Sequence, residues 1–319
     1  MQKQGSVGIY CLANDKVLDW MIAFLESLRY YESDISLIVI PFDDNVEQLT
    51  RLAQKYRFTF LQDGALEELD QIGATFPPYK YAGAHMFRKF AAFWGPFDHF
   101  LFLDLDIVIL AGLQELLHSY LSSPCNFVCF DCDIEQAYRP GALRDRMISE
   151  YSTHGFNAGA FMSSKGVFTL DSVKASAVEA ASVKESFAEA GDQPFFNYCV
   201  DTIRLHAKDV TEIAPDVSSC AWAALRSVRE TASGFRVMDR RSPHYNKRLL
   251  FIHWAGFKCN PYMPNRHTFI QRRMQGCPTR LARLRYRYEF YILRLLTPKN
   301  CLRWLYGKYL QRHPLFMRT

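Results

Sequence analysis

The chain of 319 residues is 49% hydrophobic and 15% aromatic, enough apolar mass for one large domain or two and too much for a disordered polypeptide. No apolar run approaches the roughly 18 residues that a membrane-spanning helix needs, so the sequence predicts a globular, cytoplasmic protein. Thirteen of its 38 basic residues but one of its 33 acidic residues, Glu289, lie from Arg266 onward, leaving 25 basic against 32 acidic residues in the body. That break in charge, beside the turn-forming run Pro261 to Asn265, predicts a body over 1–265 and a basic tail over 266–319. The close cysteines Cys125, Cys129 and Cys132 have no second Cys or His pair at zinc spacing and are read as reduced thiols.

The first half alternates strand and helix patterns. Residues 6–12 read as a short buried strand, and Val17 to Tyr31 carries Leu18, Met21, Ile22, Leu25 and Leu28 at helical spacing. A strand over Ile35 to Pro41, a helix over Val46 to Tyr56 and a strand over Phe58 to Leu61 follow. Then come a loop with Pro77 and Pro78 and a helix over Ala82 to Phe93. Such alternation predicts a mostly parallel α/β sheet with ligands beyond the carboxyl ends of its strands. The loops at Ala13-Asn14-Asp15 and Phe42 to Asn45 fall at two of those ends.

His99 to Leu110 is the most informative stretch, an apolar run after its first residue that is broken only by Asp104 and Asp106. Two ionised carboxylates left unpaired there would cost several kcal/mol or more. On a strand, residues two apart project to one side, so the pair predicts either a shared divalent cation or capping and salt-bridged aspartates. No GxGxxG follows the first strand and no GxxxxGK[ST] occurs, so a bound nucleotide would need a metal or basic side chains, with Arg88 and Lys89 lying just upstream.

Downstream, Gly112 to Tyr120 reads as a helix and Asn126 to Asp131 as a strand. Gly155 to Met162 carries Asn157 among small residues that permit close backbone approach. Val173 to Glu189 reads as an Ala-rich helix, and after Gly191 the order Asp192-Gln193-Pro194 suggests a helix start capped by Asp192. Leu249 to Ile252 reads as a strand running into His253-Trp254-Ala255-Gly256-Phe257-Lys258. In the tail, Leu281, Leu284, Tyr288, Tyr291 and Leu295 recur at helical spacing with Arg280, Arg283, Arg287 and Arg294 on other faces. A second segment, Leu302 to Leu310, repeats the style after Thr297-Pro298. Over 280–312 the tail suits an anionic membrane surface or packing on the body, and the acidic body without a recognised motif argues against nucleic acid.

Four ordered stretches, LDLD at 103–106, FNAG at 156–159, GDQ at 191–193 and HWAGFK at 253–258, make residues 7–262 similar to GT-A glycosyltransferases, above all the retaining enzymes of glycosyltransferase family 8. The resemblance implies a GT-A (Rossmann-like) sheet as the catalytic body. It implies Mn²⁺ or Mg²⁺ on Asp104, Asp106 and His253, and a nucleotide-sugar donor, expected to be a UDP-sugar. Ala13, Asn14, Arg88, Leu105, Asn157, Ala158, Gly159, Gly256 and Lys258 would contact that donor, and Asp192 and Gln193 would stand at its sugar. The implied activity is metal-dependent hexosyl transfer, with retention, to a polysaccharide or lipid-linked acceptor, the tail placing the enzyme at the inner face of the membrane. A sugar nucleotidyltransferase and a silent carbohydrate-binding or scaffold relative are the alternatives. Two departures fall on the sugar and acceptor side: Lys258 is followed by Cys259-Asn260-Pro261-Tyr262 rather than Pro-Trp, and Pro194 replaces a second acidic residue.

Overall fold

The computed structural model describes residues 5–77, 83–189, 191–205, 207–224 and 228–293. Pro78, the second tail segment and the positions Arg294 and Leu295 lie outside them. The chain runs β1 (Val7–Ala13), α1 (Leu18–Tyr31), β2 (Ser36–Pro41), α2 (Glu47–Tyr56), β3 (Phe58–Phe60), α3 (Leu66–Ala74), a 3₁₀ segment Ala84–Phe93 and β4 (His99–Leu103). Next come β5 (Ile107–Ile109), α4 (Gln114–Ser122), β6 (Phe127–Cys129), α5 (Ala142–Tyr151), β7 (Ala160–Ser164), α6 (Leu170–Ala181), α7 (Asp192–Thr202), β8 (Lys208–Asp209) and α8 (Val210–Ile213). The hairpin β9 (Val228–Thr231) and β10 (Gly234–Val237), then β11 (Phe251–His253), α9 (Arg266–Gln275) and α10 (Arg280–Tyr288) complete it.

The central sheet has the order β3-β2-β1-β4-β7-β6-β8 and is parallel except for β7, which is antiparallel to both neighbours. Both faces are covered, which is why its central strands read as continuous apolar runs. Ile9, Cys11 and Ala13 of β1 with Leu101 and Leu103 of β4 join one core, which also takes the buried stripe of α1. Tyr10, Leu12, Phe100 and Phe102 join the opposite core, filled by Phe87, Phe90 and Phe93 of the 3₁₀ segment and Phe195 and Phe196 of α7. Strand order reverses at β1, which pairs β2 on one side and β4 on the other. In such sheets the crevice for a ligand opens there, at the carboxyl ends, and β4 delivers Asp104 to it.

Several expectations need correction. The run His99 to Leu110 is not one strand: β4 ends at Leu103, Asp104 to Asp106 form a turn, and β5 pairs with β11 in a separate two-stranded sheet. The turn arises because Asp104 N–H donates to Gly159 O (2.7 Å) while Trp254 N–H donates to Asp106 O (2.8 Å), so the chain leaves one ladder for another. The expected helix over Val173 to Glu189 runs instead from Leu170 to Ala181, started by a Thr169–Ser172 capping box and stopped at Ser182. Asp192 does not cap α7; Gly191 does, at φ +97°, leaving Asp192 in the first turn to meet another partner. The helix expected over Ala82 to Phe93 forms as a 3₁₀ helix over Ala84–Phe93. The final strand falls at Phe251–His253, so His253 lies within it rather than after it.

The described part of the tail lies on the body. On α9, Phe269 packs on Trp20 of α1 (4.7 Å), Arg273 pairs with Asp19 (2.9 Å) and Arg272 donates to Tyr31 Oη (3.1 Å). On α10 the buried residue is Tyr286, under the Arg273 guanidinium (4.4 Å), and beyond the helix Phe290 is buried beside Phe269 (6.1 Å). Leu281, Leu284 and Tyr288 of the expected apolar stripe face solvent.

Candidate active site

The geometry of the Asp104–Asp106 turn follows from its two ladders. Antiparallel pairing sets His253 opposite Ile107, one residue beyond Asp106, and brings His253 Nε2 to 3.1 Å from Asp106 Oδ1 and 4.0 Å from Asp104 Oδ2. One ligand atom from each of the three lies within 4.8 Å of the others, the only such set among the described residues. A divalent cation bonded at about 2.1 Å to three such atoms holds them roughly 3–4 Å apart, so the residues fit a metal ion. Burial raises the Asp104 carboxyl above its ordinary range, Lys89 opposes the rise, and the neighbouring Asp106 adds to it. Burial works against a charged His253, but Asp106 and then Asp104 outweigh it and raise the imidazole. Two crowded carboxylates that hold an imidazole above its usual value form a site short of positive charge.

Gly159 makes this approach possible. A Cβ there would stand 2.4 Å from His253 Cε1, 2.6 Å from Asp104 Oδ2 and 2.9 Å from Asn157 Oδ1. The glycine therefore answers a packing demand that no other residue meets.

A cavity of about 790 Å³ opens over the triad, within the range of small-molecule sites. Asp104, Asp106, Asn157, Ala158, Gly159, Asp192, Gln193, His253 and Gly256, all anticipated from sequence, line it. The Gln193 side chain is tied on three sides: it accepts from Ala158 N–H (3.3 Å) and donates to Gln136 O (3.3 Å) and Glu189 Oε1 (3.0 Å). Asn157 Oδ1 accepts from Gly159 N–H (2.8 Å), fixing the loop beside Asp104. Ala13, at the end of β1, and Leu105 are buried in the core, and Asn14 donates to Asp43 Oδ2 (2.8 Å) while capping the turn that starts at Asp15; Lys258 is exposed two residues beyond Gly256.

Arg88 and Lys89 have distinct surroundings. The Arg88 guanidinium binds both oxygens of Asp70 (2.9 and 2.6 Å) and Pro41 O (2.9 Å), fastening β2 to α3. Lys89, 1% exposed, instead points at the cavity: its Nζ lies 2.6 Å from Asp192 Oδ2, 3.1 Å from Ala158 O and 3.9 Å from Asp104 Oδ1. Burial lowers its affinity for a proton, yet Asp104 and Asp192 more than restore it, so the group is cationic. The resemblance favoured Arg88 because that residue stands at about the distance before the Asp-x-Asp at which the family places a basic residue. Asp131, Gln136 and Trp222 also line the cavity and had no sequence signal beyond their residue types.

Neither a protein-family model nor a curated protein matches the sequence. Among solved structures, the chain is similar to the apo form of WbbM, a bifunctional glycosyltransferase, at 15% identity and a TM-score of 0.56, covering 89% of this chain and 52% of WbbM. It is also similar to the galactosyltransferase LgtC in complex with donor and acceptor sugar analogues, at 13% identity and a TM-score of 0.54, covering 84% of this chain and 95% of LgtC. An active-site mutant of LgtC gives a TM-score of 0.56 over 83% of this chain. The fold is GT-A. The chain spans about half the length of WbbM, while its match covers 95% of LgtC. In this GT-A domain the Asp-x-Asp turn closes β4 at the switch point, and no described helix is long and apolar enough to cross a membrane.

Proposed function

We propose that the chain is a metal-dependent glycosyltransferase that moves a sugar from a nucleotide diphosphate donor, in the first instance a UDP-sugar, to a polysaccharide or lipid-linked acceptor with retention. The observation that carries this reading is the convergence of Asp104, Asp106 and His253 over a glycine that leaves them room. A divalent cation there, Mn²⁺ ahead of Mg²⁺ because an imidazole joins two carboxylates, supplies charge that offsets the negative diphosphate as the sugar bond breaks.

The protein's own groups do the rest. Lys258, beyond Gly256, extends cationic reach toward the phosphates, while Asp192 and Gln193 form a wall for the donor sugar. Because Lys89 holds Asp192 and three partners hold Gln193, that wall is rigid before the donor arrives. Gln193 is an amide and Asp192 is held by Lys89, so retention proceeds without a covalent intermediate: the diphosphate leaves, the acceptor oxygen bonds the same face of the anomeric carbon, and its proton passes to the departing phosphate. Trapping a glycosyl-enzyme would sink this step.

Exposed Leu281, Leu284 and Tyr288, set among exposed Arg280, Arg283, Arg285 and Arg287, support a peripheral site on an anionic membrane. Calorimetric titration of UDP with Mn²⁺, with EDTA and in His253→Ala tests the main reading. Metal-dependent binding that weakens in the variant is expected; failure of UDP, GDP, ADP and CMP alike would overturn it.

A further inference from the structure

Trp222 is locked beside the metal triad by its backbone while its side chain is left open. His253 N–H donates to Ala221 O (2.9 Å) and Ala223 N–H donates to His253 O (2.7 Å), so Trp222 forms a parallel bridge with His253. Directly paired residues of neighbouring strands project to the same side, which sets the indole next to the imidazole at the cavity wall. Yet the exposures differ sharply: His253 is 2% exposed and Trp222 is 47%. The indole leans on Phe257, with ring centroids 5.9 Å apart and planes at 35°, and its Nε1–H reaches Ala255 O at 3.4 Å. Both partners belong to the segment that carries Gly256, so the ring has a fixed tilt and an open face.

The cavity grades from floor to lip. Asp192 and Ala158 at the floor are buried, Gln193 is part-buried, and Gly256 and Trp222 at the lip are exposed. A donor seated on the triad occupies the floor, and the second substrate reaches it from the lip. Most groups lining the floor are carboxylates, amides or backbone. The lip offers a broad apolar plane, the surface that matches the C–H face of a pyranose ring and that a small, fully polar acceptor would leave wet.

We infer that Trp222, backed by Phe257, is the platform on which the acceptor's sugar ring stacks, and hence that the acceptor ends in a pyranose. The inference rests on the glycosyltransferase reading above and deepens it, because it makes the accepting group a sugar.

The test uses full-length protein with ¹⁵N-labelled tryptophan. The Trp222 indole signal is assigned by its absence from Trp222→Phe. Methyl β-D-glucopyranoside and methyl β-D-galactopyranoside are titrated with and without UDP and Mn²⁺, and UDP affinity is measured separately. At least one glycoside is expected to shift the Trp222 signal. In Trp222→Ala its affinity should fall about tenfold, with Trp222→Phe between the two, while UDP affinity stays within about twofold. A Trp222 signal indifferent to both glycosides overturns the platform, as does a tenfold loss of UDP affinity in Trp222→Ala, which would turn the indole toward the base. Absence of nucleotide binding in the wild-type protein would count against the transferase reading instead, and the nucleotide-free titration would still report on Trp222.

Discussion

Lys89 Nζ lies 2.6 Å from Asp192 Oδ2 and 3.9 Å from Asp104 Oδ1, so one buried ammonium joins the start of α7 to the Asp-x-Asp turn. Removing it would leave the buried Asp192 without its cation and take a positive charge from beside Asp104. Lys89→Met should cost about 3–5 kcal/mol of stability, the usual consequence of breaking one side of a buried pair, and should also weaken donor binding. Arg88→Ala makes the contrast: it loses the two-pronged contact with Asp70, so stability falls by roughly 2–4 kcal/mol, but UDP affinity holds within about twofold. Urea midpoints and UDP titrations on both variants would separate the roles, and a large loss of UDP affinity in stably folded Arg88→Ala would reverse the assignment.

Gly159→Ala places a methyl group 2.4 Å from His253 Cε1 and 2.6 Å from Asp104 Oδ2. The expected result is loss of Mn²⁺-dependent UDP binding by about tenfold or more with the far-ultraviolet circular dichroism retained. Wild-type affinity in this variant would mean that the triad is not the metal site.

Asp201 is buried away from the cavity, where Tyr138 Oη donates to its Oδ2 (2.5 Å). Burial raises its carboxyl from 3.8 to about 6, with the Tyr138 and Thr153 hydrogen bonds opposing the rise. Between those values the unfolded chain gives up its proton before the folded one does. The contribution is therefore fully present below the unfolded value and is lost as pH rises through about 6, a change of about 3 kcal/mol. Asp201→Asn keeps an acceptor for Tyr138 without the charge. Relative to the wild-type protein it should gain stability on going from acidic to alkaline buffer. Parallel denaturation curves that show the same difference at both ends would refute the raised value.

Full-length protein should sediment with vesicles containing phosphatidylserine and leave phosphatidylcholine vesicles in the supernatant. Arg283→Ala combined with Arg287→Ala removes two exposed charges on α10. At about 1 kcal/mol for each basic residue, binding should weaken by roughly 30-fold without altering UDP affinity. Sedimentation unaffected by the double substitution would remove α10 from any membrane site.

The fold class and the carboxylate pair of the candidate metal site were legible in the chain itself. Strands buried on both faces must be apolar throughout, so β1, β2 and β4 stand out, and carboxylates inside such a run are costly enough to mark Asp104 and Asp106. His253 was reached only through the resemblance carried by HWAGFK at 253–258. What could not be read was direction. Whether the Asp-x-Asp run stays in one sheet depends on which distant segments pair with it, and only β7 and β11 decide that it turns.

The same limit applies to side-chain facing. Arg88 and Lys89 are adjacent and alike in charge, yet one is spent on Asp70 and the other on Asp192, because the 3₁₀ backbone and the positions of α3 and α7 settle which way each points. Along α10 and the residues just after it two stripes compete, and packing against Arg273 and Phe269 buries Tyr286 and Phe290 while Leu281, Leu284 and Tyr288 remain outside. Sequence by itself determined which residue types the core and the metal require, since burial and charge cost are properties of the residues. Tertiary structure alone decided which of several equivalent residues meets the site, since that depends on contacts between segments far apart in the chain.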